Sequence, residues 1–313
     1  MGITGLRRWA KIRRCGHCLT IIEAGSDGLI RSKPMLALFL LPGLLGLLIF
    51  FAVPFFGGIY YSLTDGTVQN NYVGMANYFA VWNNEMFRLG LKNTLELSVL
   101  SAPMIFVLSF VVAVMLRALK NGSTLFRNVL LLPYLMPTAA MILIWLLLFD
   151  YGGAINKLLD LMGYARITWK EGDALRVPVL ILYVWKNLGF SVVIFTAALQ
   201  AVPEALYEYA RLEGASAWTR EVRITLPLIS PTAFLVFVLA WINAFKIFKE
   251  VYIIGGAHPS MSVYTLQHFM NNHFARINYQ YVTTAAYSFA AVALVLFAAL
   301  YLLEMRMRKG VGA

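Results

Sequence analysis

From Met35 to Leu63 the chain carries no charged side chain. About 20 apolar residues suffice for an α-helix to cross the hydrocarbon layer of a membrane. Inside that layer every backbone N–H and C=O must find a partner within the protein, so only helices or closed barrels span it. The run shows no strand-like alternation, and a helix is the expectation. Comparable apolar stretches recur at residues 95–116, 129–149, 177–199, 226–245 and 281–303. Only 13% of the residues are charged, against about 25% in an ordinary soluble domain. The fold class expected is all-α: a polytopic membrane protein with six transmembrane helices.

The segments between the spans set the expected orientation. Arg7, Arg8, Lys11, Arg13, Arg14, Arg31 and Lys33 outweigh Glu23 and Asp27 in residues 1–33, and Arg306, Arg308 and Lys309 mark residues 304–313. Arg117, Lys120 and Arg127 follow the second stretch with no acid among them. By the positive-inside rule these are expected to be cytoplasmic, so both termini lie inside and residues 34–303 form the six-helix membrane domain. The net charge of +11 therefore reads as membrane flanks and not as a nucleic-acid surface. The first apolar run is too long for a cleavable signal peptide. Residues 65–92, with Tyr72, Tyr78 and Trp82, together with 150–176 and 249–280, are expected outside as loops. Pro42 and Pro54 are expected to bend the first span, and Pro133 and Pro137 to interrupt the third.

Few residues suggest chemistry. Cys15 and Cys18 have the spacing of a redox dithiol and His17 lies between them, yet a zinc site wants four ligands, and no βαβ pattern follows. The remaining histidines, His258, His268 and His273, fall in one outer segment at a poor helical ligand spacing, so no metal cluster is expected. No phosphate loop ending in Gly-Lys-Ser/Thr is present. Gly43, Gly46, Gly57 and Gly58 permit close helix packing. Lys186 and Asn187 stand near the middle of the fourth span, where a charge must face protein or a wet cavity.

Residues 208–227, EYARLEGASAWTREVRITLP, are charged between two apolar spans. Pro203 and Glu204 suit the start of a helix. Leu206 and Ala210, with Ala205, Tyr209 and Leu212, give it one apolar side, while Glu204, Glu208 and Arg211 give another. Gly214 is placed to end that helix, Ser216 to cap a second, and Pro227 to open the next span. On pattern alone an amphipathic hairpin on the bilayer surface fits equally well.

At Glu208, Ala210, Gly214, Ile224, Leu226 and Pro227 this segment resembles the cytoplasmic coupling loop of binding-protein-dependent ABC importer permeases. The family pattern is Glu-Ala-Ala, three residues, Gly, nine residues, Ile, one residue, Leu-Pro. Tyr209 replaces the central alanine, and Glu213 stands where Asp is usual. The resemblance extends over nearly the whole chain from Pro34. It is closest to the sugar-importer branch, to the maltose-transporter first-permease type, and to the shorter glycerophosphate and oligosaccharide importer permeases. It implies the type I importer permease fold in a bacterial inner membrane. It also implies a second homologous permease, two cytoplasmic ATPase subunits that hold the ATP and Mg, and an extracytoplasmic solute-binding protein. The cytoplasmic coupling region spans residues 200–227, and the chain itself needs no cofactor or metal and has no catalytic residue. Tyr183, Trp185, Lys186, Asn187, Trp241, Asn243 and Phe245 are suited by span and depth to line a sugar path. A glycerol phosphate or other non-sugar solute is the alternative, and a membrane scaffold or a dithiol enzyme are alternatives of another class. The Gly255–Pro259 stretch is similar to a Gly-Gly-Pro feature of the family, with Ala257 and His258 intervening.

Overall fold

The computed structural model describes residues 33–67, 69–119 and 123–311. Residues 1–32, with Cys15, His17 and Cys18, lie outside the described residues, as does Lys120. The described residues are helical with turns, and one isolated antiparallel bridge joins Thr64 to Tyr72. Five helices are long and apolar enough to cross a membrane, and a sixth crossing is a bent pair. The chain divides into two compact units, residues 1–60 and 61–313.

The first unit contains most of the first span, Leu36–Ser62. It begins as an α-helix at Lys33–Leu47, widens into a π-helical turn at Leu48–Ala52, and resumes as α-helix at Val53–Ser62. Pro42 is accommodated inside the first of these helices. The departure from α geometry comes at Pro54, which lacks an N–H and whose ring crowds the carbonyl four residues back. Shifting to wider i→i−5 bonds relieves both problems.

In the second unit the second span, Glu85–Ala118, is the element against which the others pack. The fourth span helix, Arg176–Gln200, and the fifth, Ser230–Ala244, lie against it and against each other. Leu97, Ala102, Ile105, Val179, Tyr183, Ala240, Ala244 and Ile247 form the central core. Ala113, Leu116, Val192, Phe195, Leu199, Ala233 and Val236 continue it toward the charged segment that follows the fourth span. At the other end, Phe87, Leu91, Leu266, Phe269 and Ala285 close a third layer. There Asn93 donates its amide to the carbonyls of Met261 (2.7 Å) and Tyr264 (2.9 Å) and accepts from Arg176 (2.8 Å). Arg176 also reaches Glu96 at 3.0 Å and the Ser262 carbonyl at 2.6 Å. Polar residues at the span ends thus fasten residues 261–264 to the bundle.

Four expectations need correction. Residues 65–92 are not simply a loop: Ala76–Asn83 is helical, and the second span begins at Glu85, well before residue 95. Asn84 caps it, accepting from the backbone N–H groups of Met86 and Phe87. Arg88, Lys92 and Glu96 depress hydropathy there while Phe87 and Leu91 bury the other face. The third span begins at Ser123 and not at residue 129, and Pro133 stays inside its first helix; the expected interruption falls at Pro137, between Ser123–Leu135 and Thr138–Leu148. Its crossing segments are bent by 95°, with Pro137 extended at the break. The fifth span starts at Ser230 and runs on to Gly255 after a turn at residues 245–247, so Lys246, Lys249 and Glu250 belong to the span and not to an outer loop. The segments expected as outer loops also carry helices, Ala154–Leu161 and Leu266–Ala275, and the last helix runs Tyr279–Val311.

Candidate functional site

The break in the third span exposes backbone and side chains that a continuous helix would cover. A cavity of about 470 Å³ opens there. Tyr134 to Thr138 form one wall, Tyr183, Lys186 and Asn187 of the fourth span a second, and Asn243, Lys246, Lys249 and Glu250 of the fifth a third. Lys186 organises the site. Its Nζ donates to Glu250 Oε1 at 2.8 Å and to Thr138 Oγ1 at 2.6 Å, so one ammonium joins all three walls. Glu250 is 2% exposed. A charge this deep is tolerable only with a partner of opposite sign and further hydrogen bonds. Glu250 Oε2 and the Tyr183 hydroxyl are buried without a hydrogen-bond partner among the described residues, and both belong to residues that line the cavity. Among the described residues Lys246 hydrogen-bonds Asn243, at 3.3 Å, and both Lys246 and Lys249 are exposed.

Of the residues expected on a solute path, Tyr183, Lys186, Asn187 and Asn243 line this cavity. Trp185, Trp241 and Phe245 do not. Trp185 stacks on Trp145 with centroids 5.7 Å apart. Trp241 is buried edge-on to Phe237, and Phe245 packs against Phe289 and Phe297. Their indole and phenyl faces serve helix packing. Glu250 and Thr138 were not expected at the site. The signal for Glu250 was Lys186 itself, since an ammonium at that depth requires a carboxylate.

The charged segment after the fourth span folds as two short helices, Glu204–Leu212 and Ala217–Arg220. Gly214, at φ +76°, ends the first. Its N–H bonds the Arg211 carbonyl at 3.0 Å while that of Ala215 bonds the Ala210 carbonyl at 2.9 Å, a Schellman ending. Ser216 caps the second helix, its hydroxyl accepting from Thr219 N–H at 3.2 Å. Glu221–Thr225 then widens into a second π-helical turn, again two residues before a proline, Pro227. The apolar side divides differently from the expectation. Tyr207 and Ala210 are buried toward the bundle, whereas Tyr209, Leu212 and Trp218 are 70%, 85% and 71% exposed. Ile224 and Leu226 are half-buried and Pro227 is exposed. Glu208 is exposed, with no ion pair among the described residues. The carboxylate that meets the bundle is Glu221, paired with Arg117 at the end of the second span.

A helical bundle with a broken span, a polar cavity at the break and a two-helix projection defines a polytopic membrane protein. Residues 105–309 match the family of the binding-protein-dependent transport system inner membrane component. The chain is 31% identical to the trehalose/maltose transport system permease protein MalF of Thermococcus litoralis over 71% of its own length and 77% of that protein's. It is 31% identical to the sn-glycerol-3-phosphate transport system permease protein UgpA of Yersinia pestis (73% and 79%). It is 30% identical to the diacetylchitobiose uptake system permease protein NgcF of Streptomyces coelicolor (84% and 79%). A chain of a bacterial ABC transporter involved in the import of the acidic polysaccharide alginate shares the fold, with a TM-score of 0.78 at 23% identity over 91% of this chain and 99% of that one. The protein belongs to the binding-protein-dependent transport system inner membrane component family and is a permease subunit of an ABC importer.

Proposed function

We propose that the chain conducts a sugar-type solute across the bacterial inner membrane, with both termini cytoplasmic. The cavity at the broken third span carries this reading. Asn187 and Asn243 offer amides and Tyr134 a ring face and a hydroxyl, above the buried Tyr183 hydroxyl and Glu250 carboxylate. Relatives named for trehalose/maltose and diacetylchitobiose transport support it. A second homologous permease would complete the path, and an extracytoplasmic solute-binding protein would deliver the solute. Two ATPase subunits would hold ATP and Mg, and one of them would take the exposed Tyr209, Leu212 and Trp218 knob in a groove, with Glu208 placed to meet a cation on it. Closure of the ATPases would then move Glu208, Ala210, Gly214, Ile224, Leu226 and Pro227 as one lever joined to the fifth span.

Lys246 and Lys249 favour a second reading, a solute bearing phosphate or carboxylate. The lining holds three lysines against the single carboxylate of Glu250, and one relative is named for sn-glycerol-3-phosphate transport. Uptake by cells expressing the whole complex separates the two, using radiolabelled maltose, trehalose and diacetylchitobiose against glycerol 3-phosphate. The sugar reading expects uptake of a neutral sugar that Asn187→Leu and Asn243→Leu abolish while the complex still assembles. Uptake of glycerol 3-phosphate alone, lost in Lys246→Gln with Lys249→Gln, establishes the second. Gly214→Trp, with assembly intact, is expected to abolish transport, and retained transport would count against the lever.

A further inference from the structure

The coupling segment is joined covalently to the fourth and fifth spans, yet it also has a third attachment. Arg117, in the last turn of the second span, donates Nη1 to the Tyr207 hydroxyl at 2.7 Å and pairs through Nη2 with Glu221 Oε1. Its guanidinium also lies over the Tyr207 ring, 4.6 Å from the centroid. An arginine can only donate, so Tyr207 Oη accepts from it, leaving the phenolic proton for Thr225 Oγ1 at 2.8 Å. Thr225 in turn reaches the Arg220 carbonyl at 3.4 Å, on the helix just before the π turn. Tyr207 is 4% exposed and Thr225 fully buried. Tyr207 belongs to the helix before Gly214, and Glu221 and Thr225 to the segment after it. One side chain from the second span therefore holds both arms of the hairpin.

We propose that Arg117 is a positioning residue that clamps the coupling hairpin to the second span, so that hairpin and span move as one body when the ATPases close. Backbone bonds around Gly214 set the angle between the arms, and nothing packs within 4 Å of an added Cβ there to brace it. The clamp fixes that angle from outside the hairpin. Its location matters because the second span packs against the fourth and fifth spans and against the outer helix Leu266–Ala275. Displacement entering at Arg117 reaches the core directly, in addition to the covalent route through Leu226 and Pro227. A guanidinium with a stacked ring, a hydroxyl and a carboxylate in fixed directions suits this task better than an ammonium.

The proposal rests on the hairpin being the ATPase contact, and the experiment tests the two separately. The full complex is prepared with Cys15 and Cys18 replaced and spin labels on cysteines introduced at Met115 and Arg223, both exposed and outside the gripped knob. The distance distribution is recorded with and without ATP and vanadate. In the parental protein one narrow distribution is expected, unchanged by nucleotide. In Arg117→Ala and in Glu221→Gln it is expected to broaden and to shift with nucleotide, while ATP hydrolysis continues and solute-binding-protein stimulation is lost. Arg117→Lys, which keeps the ion pair, is expected to narrow it again in part. A narrow, nucleotide-independent distribution in both Arg117→Ala and Glu221→Gln would overturn the clamp. Glu221→Gln preserves shape and serves where Arg117→Ala does not assemble. Crosslinking of Trp218→Cys to the ATPase reports the hairpin contact independently: with no crosslink, the coupling reading fails whatever the distances show.

Discussion

Lys186 and Glu250 illustrate how a single intramembrane charge dictates its surroundings. Each is inexpensive to bury only because the other is 2.8 Å away. Removing one partner strands the other in a low-dielectric interior, which typically costs about 3–5 kcal/mol. Lys186→Met or Glu250→Gln alone is therefore expected to lower the thermal unfolding midpoint in detergent sharply. The double variant is expected to recover much of the loss, and a double-mutant cycle gives the coupling. His268 makes a different residue-scale prediction. It is fully buried in the outer helix Leu266–Ala275, where its Nδ1 accepts from the Thr265 backbone N–H at 3.2 Å. Burial, with His258 nearby, pushes its pKa from 6.5 down to about 4. The unfolded chain takes up a proton below pH 6.5 that the folded protein refuses, so stability present above 6.5 is lost as pH falls toward 4. Unfolding midpoints across that window should fall with pH, and His268→Gln should flatten the slope.

Among the elements, two glycines act for opposite reasons. Gly189 sits where the fourth span meets the first half of the broken third, and a Cβ there would lie 1.9 Å from the Leu130 carbonyl oxygen. That atom is backbone and cannot swing away. Gly189→Ala is expected to force the helices apart and destabilise by about 1–3 kcal/mol or more, read as a lower unfolding midpoint. Gly214 has free space but φ +76°, so Gly214→Ala carries only a left-handed backbone penalty of about 1–2 kcal/mol, and Gly214→Asn less. Its ending of the first coupling helix and the Ser216 cap were legible in sequence because both follow from local backbone geometry. The 95° bend of the third span was not. Pro133 and Pro137 announced an interruption, but Pro133 remains inside a helix and the break falls at Pro137. Which of two prolines yields depends on what the flanking helices pack against.

For the whole molecule, the bundle implies six crossings if the bent pair counts as one. The proposed orientation, with both ends cytoplasmic, expects an impermeant thiol reagent to label Trp218→Cys only from the inside and Leu161→Cys and Ile277→Cys only from the outside, in a background lacking Cys15 and Cys18. Labelling of Trp218→Cys from outside would invert the topology. The all-helical membrane class and the charged two-helix hairpin after the fourth span were legible in the sequence alone. Long charge-free runs leave a membrane chain few ways to satisfy its backbone, and turn residues act within a few positions of themselves. Tertiary structure alone decided that Glu250 belongs to the fifth span and faces Lys186, and that Trp185, Trp241 and Phe245 pack helices instead of lining the cavity. It also decided that Arg117 selects Glu221 while Glu208 stays free. Those pairings join residues far apart in the chain, and they are set by helix rotation and depth, which no local pattern of hydropathy encodes.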